Sequence, residues 1–308
     1  MSELSVTFSP LEYDLSQDSL PQELTQNAAS PLLSEPAAAA ARQRRRVPKA
    51  KAGYAISERG ITLLTVAALL GLWWLVSALA LLPPLFLPSP LAVLQKFKAV
   101  ALDGFVDATL WQHAVTSVAR VFAALLLALV SAIPVGVLIG LSRRARAVFD
   151  PLIEFYRPIP PLAYLPLIVI WFGIGELSKV LLIYLAIFAP LAIATLHGVR
   201  RVDQNRLRAA QTLGASGWQL IRFVILPSAV PDILTGIRIG LGVGWSTLVA
   251  AELIAATRGL GFMIQSAAQF LVTDVVIMGI LVIALIASGF EYGLRWLQRK
   301  YVPWEGRA

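Results

Sequence analysis

Long apolar runs alternate with short, arginine-rich polar segments over most of the chain. A helix needs about 20 apolar residues to cross about 30 Å of hydrocarbon, and the first run, residues 61–82, holds 22 residues without a charge. The third run is short and is entered through Pro158, Pro160 and Pro161. The pattern predicts an all-α integral membrane protein with six transmembrane helices, at about 61–82, 114–141, 160–174, 179–199, 233–256 and 274–295.

The first 53 residues contain no such apolar run. Residues 1–41 hold six acidic residues and no Lys or Arg, whereas residues 42–51 hold six basic residues. Such a segment buries too little apolar area to offset its chain entropy. We therefore expect residues 1–53 to form a disordered tail ahead of a membrane domain of residues 54–308. A basic run just before an apolar span is more simply a topogenic anchor than a nucleic-acid site, and we expect no nucleic-acid partner.

Charge and cysteine content narrow the class of protein. Charged residues make up 14% of the chain, against about 25% in soluble domains, which agrees with a lipid environment. The absence of cysteine excludes disulfides and thiolate metal sites. His113 and His197 are far apart in sequence and have no carboxylate pair nearby. We therefore predict no catalytic group, no bound cofactor and no metal site.

The distribution of Lys and Arg predicts the orientation in the membrane. Six spans put both termini on one side, and the segments expected on that side carry 20 Lys and Arg residues. The segments on the opposite side carry only four: Lys96, Lys98, Lys179 and Arg258. Positive charge accumulates in cytoplasmic loops. The sequence therefore predicts a multi-pass membrane protein with cytoplasmic N and C termini.

The cytoplasmic segment 203–227 predicts a helical hairpin. Leu207, Ala210 and Leu213 recur three residues apart, as on one face of a helix. Gly214 suits a helix end because glycine adopts the left-handed conformation without steric cost, and a capping box at Ser216 starts a second helix. That second helix is expected to end at Pro227, because proline cannot continue the hydrogen-bond ladder.

Two interpretations of this hairpin are open from its residues alone. It could fold back on its own protein as an ordinary loop. It could also dock on another protein, because Ala209 and Ala210 form a small-residue surface that permits close approach and the arginines around them suit an acidic or polar groove.

The same stretch resembles a known motif. Arg208-Ala209-Ala210, three residues, Gly214, nine residues and then Val224-Ile225-Leu226-Pro227 is similar to the EAA loop of ABC-importer permeases, E-A-A, x3, G, x9, I-x-L-P. Arg208 replaces the glutamate of that pattern and Val224 replaces its isoleucine. Further segments resemble the nitrate/sulfonate/taurine branch of these permeases: FLPSP (Phe86–Pro90), DATLWQH (Asp107–His113), YRPIPPLAYLPLIVIWFGIGE (Tyr156–Glu176) and GLGVGWSTLVAAELIAATRGLGFM (Gly240–Met263).

The resemblance implies a type I ABC-importer arrangement of six helices and a permease of the bacterial inner membrane for taurine or a related alkanesulfonate. It also implies four partners: an ATPase pair that binds ATP and Mg²⁺, a periplasmic binding protein, a second permease copy and the lipid bilayer. In this family the hairpin is the coupling helix that sits in a cleft of the ATPase. The residues expected to make that contact are Leu207, Arg208, Ala209, Ala210, Leu213, Gly214, Trp218, Leu226 and Pro227.

Within the spans, three residues are candidates for the translocation pathway: Trp245, Glu252 and Arg238. A carboxylate inside a span suggests function by default, but Glu252 could instead pair with Arg258 or cap backbone amides. Arg238 could attract an anion, or simply extend its charged end to the cytoplasm. Gly236, Gly240 and Gly244 form overlapping G-x-x-x-G units that favour close helix packing, either within one subunit or between subunits.

Other classes of protein fit the sequence less well. A secondary transporter predicts inverted repeats with broken helices or several buried ionisable residues, and neither is evident. A membrane enzyme needs a catalytic constellation, which two isolated histidines do not supply. The G-x-x-x-x-G-K-[ST] phosphate loop is absent. Substrates such as nitrate, bicarbonate or another aliphatic sulfonate remain alternatives to taurine, and an ATP-independent secondary transporter remains a distant one.

Overall fold

The computed structural model describes residues 58–302, and this range is helical without a strand. The predicted tail, residues 1–53, and the last six residues lie outside the described residues. Of the described residues, 64–302 belong to one compact unit. The helices are α1 (Glu58–Ala78), α2 (Pro90–Leu102), α3 (Leu110–Leu141), α4 (Arg143–Tyr156), α5 (Pro161–Phe172), α6 (Glu176–Arg200), α7 (Gln204–Thr212), α8 (Gly217–Leu220), α9 (Leu226–Ala255), α10 (Leu260–Gln269) and α11 (Thr273–Tyr301), with a π-helical turn at Ile221–Ile225 between α8 and α9.

Within the described residues, five helices are long and apolar enough to cross a membrane. A sixth span is present only if α4 and α5, which are bent by 103° relative to each other, count as one. The predicted third span, 160–174, corresponds to α5, whose 12 residues reach about 18 Å at 1.5 Å per residue and cannot cross the hydrocarbon alone. The predicted six spans therefore agree with the structure only when α4 and α5 are counted together as one span.

Helix α6 forms the centre of the bundle and packs along α3 on one side and α9 on the other. Glycines make both contacts close. A Cβ on Gly136 of α3 would lie 2.6 Å from the carbonyl oxygen of Ala192, and a Cβ on Gly236 of α9 would lie 2.5 Å from the Ala194 side chain. Small residues at such positions let helix backbones approach each other in a membrane.

The ends of two long helices differ from the prediction for local reasons. Helix α3 begins four residues earlier than expected, at Leu110, because Thr109 and Gln112 form a capping box. Helix α1 ends at Ala78, four residues before the expected end at 82. There Ala80 adopts φ +49°, a left-handed conformation that ends helices, and Pro83 and Pro84 follow.

The hairpin has the predicted turn but not the predicted second helix. Gly214 has φ +81°, and the capping box of Ser216 with Gln219 starts α8. The expectation that the helix ends at Pro227 is wrong, because the chain stays helical from Gly217 to Ile254. The π-helical turn just before α9 widens the ladder, and Pro227 then sits at the start of α9, where a missing N–H is tolerated.

Candidate functional site

The tip of the hairpin exposes large apolar side chains. Leu213 is 89% exposed and Trp218 is 67% exposed, although apolar groups of this size favour burial by about 1.5–3 kcal/mol. Of the other residues predicted to contact an ATPase, Arg208, Ala209, Gly214 and Pro227 are exposed, while Leu207, Ala210 and Leu226 are partly buried. The partly buried residues attach the hairpin to the bundle, since Leu207 and Leu226 pack against the main core.

The hairpin is joined rigidly to the longest span. Helices α8 and α9 and the π-helical turn between them form one helical rod from Gly217 to Ile254, so the turn at residues 213–216 is the one non-helical segment between Gln204 and Ile254. In this rod Ile225 is buried and Val224 packs against the core, whereas Phe223 is 69% exposed. A force applied to α8 would therefore reach α9 without passing through a loop.

At the other end of the bundle lies a group of charged residues, which we call the buried ion cluster: the buried Arg120, Lys179 and Glu252 with Ser117, and Glu176, whose side chain is 63% exposed. Arg120 is its centre. Its Nη1 donates to Glu252 Oε1 at 2.5 Å, and its Nε and Nη2 donate to the two oxygens of Glu176 at 2.6 and 2.7 Å. Lys179 Nζ donates to Glu176 Oε1 at 2.8 Å. The cluster therefore pairs two cations with two carboxylates.

Glu252 is the most deeply buried of the charged members, with no exposed surface. Its carboxylate accepts the Ser117 hydroxyl at 2.8 Å and the backbone N–H of Gly261 at 2.8 Å. These partners come from α3 and from the start of α10, so one carboxylate joins three helices. A buried carboxylate is stabilised only when it is paired and hydrogen-bonded in this way.

The loop between α9 and α10 is fixed by the same group. The backbone N–H of Gly259 donates to His113 Nδ1 at 3.1 Å, and Arg120 Nη1 donates to the carbonyl of Arg258 at 2.7 Å. Gly259 has φ +136°, and a Cβ there would collide with the Glu252 carboxylate. Arg258, the partner expected for Glu252, thus contributes its backbone carbonyl to Arg120, and Arg120 is the residue that pairs with Glu252.

The buried ion cluster and the hairpin lie at opposite ends of the same helices. The cluster joins the first turns of α3 and α6 to the last turns of α9. Glu252 is 26 residues from Leu226, where α9 begins, which corresponds to about 39 Å along the helix.

Two of the three pathway candidates lie together, and the third does not. Arg238 and Trp245 line a cavity of about 440 Å³ between α9 and α11, whereas Glu252 is not among its lining residues. Arg238 is paired there with Glu291 of α11 at 2.5 Å. Trp245 packs on Phe290 with ring centroids 5.9 Å apart, and its indole nitrogen has no hydrogen-bond partner among the described residues.

The glycine stripe of α9 faces the centre of the same chain. Cβ atoms on Gly240 and Gly244 would each lie 3.0 Å from the Ile187 side chain of α6, and one on Gly236 would meet Ala194 and Leu191. The structure thus places all three glycines in a contact within one subunit.

Most members of the buried ion cluster were not singled out from the sequence. A signal was present: Arg120 lies inside a predicted span and Lys179 lies at the first residue of another, and charges within spans require a partner. Which partner each one takes depends on tertiary packing, because Arg120 and Glu252 are 132 residues apart in the sequence. Residues 58–302 contain no group of three or more His, Cys, Asp or Glu residues that could hold a metal ion.

Comparison with known proteins identifies relatives over the membrane domain. The sequence profile of the family described as binding-protein-dependent transport system inner membrane component matches residues 132–302. The chain is 63% identical to the taurine transport system permease protein TauC of Escherichia coli over 245 residues, which cover 79% of this chain and 89% of that protein. It is 37% identical to a Bacillus subtilis permease protein named for aliphatic sulfonate transport, over 79% of this chain and 86% of that protein.

A solved structure supports the fold. A chain of the MetNI methionine ABC transporter in an inward-facing conformation superimposes with a TM-score of 0.55 and 18% sequence identity. The match covers 61% of this chain and 93% of that chain. It shows a type I ABC-importer permease arrangement of the helices.

Proposed function

Because the chain belongs to the family of binding-protein-dependent transport system inner membrane components, we propose that it is the permease through which an ABC importer translocates taurine or a related alkanesulfonate. The assignment of taurine as the substrate rests on the 63% identity to the Escherichia coli taurine permease over 245 residues. As a permease subunit of an ABC importer, the chain implies an ATPase and a binding protein as partners and is not itself an enzyme.

The exposed hairpin is the docking element for the ATPase in this proposal. Its tip leaves Leu213 and Trp218 uncovered, and its arginines suit an acidic or polar groove. ATP and Mg²⁺ bind the ATPase pair, and the permease works as a homodimer of this chain. The 20 basic residues on the hairpin side of the spans support cytoplasmic termini in an inner membrane, with the hairpin in the cytoplasm and the buried ion cluster near the periplasmic surface.

The proposed cycle uses the continuity of the helices. Closure of the ATPase pair moves the hairpin, and the helical rod from Gly217 to Ile254 carries that movement into the bundle. The buried ion cluster keeps the far ends of α3, α6 and α9 together, so these helices tilt as one body. Arg238 and Trp245, which line the cavity between α9 and α11, are assigned to the translocation pathway. Glu252 lies outside that cavity, and we assign it to the helix movements that open and close the pathway.

The substrate is tested by uptake in a strain that lacks this chain. Uptake of labelled taurine should return with the wild-type gene and should be reduced by excess unlabelled taurine more than by nitrate, bicarbonate or other aliphatic sulfonates. A stronger effect of one of those competitors would assign the permease to that anion. Uptake that persists when the ATPase gene is deleted would instead indicate an ATP-independent secondary transporter.

A further inference from the structure

A second cavity at the hairpin end of the bundle was not indicated by the sequence. It has a volume of about 470 Å³ and lies between α5, α6 and α9, next to the junction of α4 and α5. We call it the hairpin-end cavity. Volumes of about 300–1,000 Å³ are typical of small-molecule sites. Along α9 its lining runs from Asp232 to Val243, which corresponds to about 17 Å.

The polar groups of this cavity gather at one end. Arg157, His197 and Asp232 line the part next to the hairpin, where α4 and α6 end and α9 begins. The other end is lined by apolar side chains, including Leu185, Ile239 and Val243. The cavity therefore combines a polar mouth that carries both signs of charge with an apolar interior.

Two polar groups of the lining lack their usual partners. The Tyr156 hydroxyl is buried and has no hydrogen-bond partner among the described residues. Pro190 of α6 has no N–H to donate to the carbonyl of Ala186, one turn earlier, and both residues line the cavity. Backbone groups freed in this way within a membrane are tolerated where they line a polar cavity. The lining thus includes residues with a hydroxyl and a backbone carbonyl that lack their usual partners within the chain.

The two charges at the mouth are only weakly engaged within the protein. Asp232 Oδ1 lies 3.7 Å from Arg201 Nη1, and the Arg201 side chain is 82% exposed, so this pair contributes about 1 kcal/mol or less. Arg157 is exposed. Both are free to bind a ligand of opposite charge, whereas Arg238 in the other cavity is already neutralised by Glu291 at 2.5 Å.

We propose that the hairpin-end cavity is a substrate-binding site for a small zwitterion, with Arg157 and Tyr156 holding the anionic group and Asp232 holding the ammonium group. The apolar wall contacts the short carbon linker between the two groups. This assignment rests on the proposed import of taurine, which carries a sulfonate and an ammonium group. It adds that the permease itself distinguishes an aminosulfonate from a plain sulfonate, independently of the binding protein.

The test uses the complex of the permease and its ATPase in nanodiscs, without the binding protein. Equilibrium dialysis measures binding of labelled taurine and of labelled ethanesulfonate, which lacks the ammonium group. Wild type should bind taurine about tenfold more tightly than ethanesulfonate, since a hydrogen bond to a charged group contributes that much or more. Asp232→Asn should remove the preference by weakening taurine alone, and Arg157→Gln should weaken both ligands about tenfold.

Matched controls lie on α4, outside the lining of the cavity. Glu154→Gln and Arg144→Gln remove one charge of each sign from exposed positions of α4 and should leave both affinities unchanged. Thermal unfolding of each variant shows that it is folded. Equal affinity of wild type for both ligands, or an Asp232→Asn variant that still prefers taurine, would overturn the assignment.

Uptake by intact cells separates this inference from the proposed function. Normal taurine uptake by wild type without measurable binding in the nanodisc complex overturns the zwitterion site and leaves the proposed function standing. Taurine binding that requires Asp232, in a protein that does not take up taurine, overturns the proposed substrate and leaves the site standing.

Discussion

The buried ion cluster and the hairpin tip belong to the same bundle but follow opposite rules of burial. At one end Arg120 and Glu252 are charged residues with 4% and 0% of their side chains exposed, and each is fully paired. At the other end Leu213 and Trp218 are apolar, 89% and 67% exposed, and uncovered. Charges that are buried and satisfied indicate a fixed joint within the chain. Apolar groups left uncovered at the hairpin tip agree with the docking on an ATPase that we propose for this surface.

The largest effect should follow the loss of a single charge from the buried ion cluster. Arg120→Met leaves the Glu252 carboxylate buried without its cation, which should lower the free energy of unfolding by about 3–5 kcal/mol. Arg295→Gln removes a cation whose side chain is 50% exposed from its pair with Glu291, and should cost only about 1 kcal/mol or less. Denaturant unfolding of the permease in nanodiscs measures both values.

A double variant controls for that prediction. Arg120→Met combined with Glu252→Gln removes both charges and should be more stable than Arg120→Met alone, because no buried charge is left unpaired. A double variant no more stable than the single one would show that packing of the arginine stem, and not charge pairing, fixes this end of the bundle.

A smaller effect is expected for the glycine that closes the cluster. Gly259→Ala forces a side chain onto a backbone with φ +136° and into the Glu252 carboxylate, which should destabilise the fold by about 1–3 kcal/mol through the backbone alone. Gly242→Ala in the same region of sequence meets open space and should leave the unfolding temperature unchanged. Equal losses of stability in the two variants would mean that Gly259 is replaceable at this joint.

The contrast between the two ends also explains what the sequence could predict. Apolar runs, caps and turn residues are local signals, and they were sufficient for the long spans, the Gly214 turn and the capping box at Ser216. The ion cluster depends on pairs such as Arg120 with Glu252, which are distant in sequence, and no local pattern specifies such a pair. Pro227 shows the opposite failure: the local rule predicted a helix end, and a π-helical turn in front of the proline overrode it.

Short helices were missed for a related reason. Helices α2 and α10 have 13 and 10 residues, too few to span a membrane, and their periodic signal is weak over that length. Pro158, Pro160 and Pro161 indicate in the sequence that the chain is interrupted between α4 and α5. They do not specify the angle of 103° between the two helices. Tyr156 and Asp232 are distant in sequence, and only the fold brings them to the lining of one cavity.

At the hairpin tip a substitution should affect binding but not folding. Trp218→Ala removes an exposed indole, so the free energy of unfolding should change by no more than about 0.5 kcal/mol. Its affinity for the ATPase should fall about 30-fold, since a buried aromatic anchor contributes about 2 kcal/mol to an interface. Titration of the nanodisc permease with the purified ATPase measures this change. Gln211→Ala, at an exposed polar position of α7, should bind normally, and an equal loss in that control would argue against an anchoring role for Trp218.

The smallest expected effect separates the shape of the hairpin from its surface. Gly214→Val places a β-branched residue at φ +81° in open space, so only the backbone resists it, by about 1–2 kcal/mol. The turn should then be populated less, and binding of the ATPase and taurine uptake should fall about tenfold. Arg208→Glu changes one exposed side chain to the residue of the family motif and should reduce both activities less. If Arg208→Glu proved the more damaging variant, the hairpin would be held in its groove by charge, and the turn at Gly214 would matter less than its backbone conformation implies.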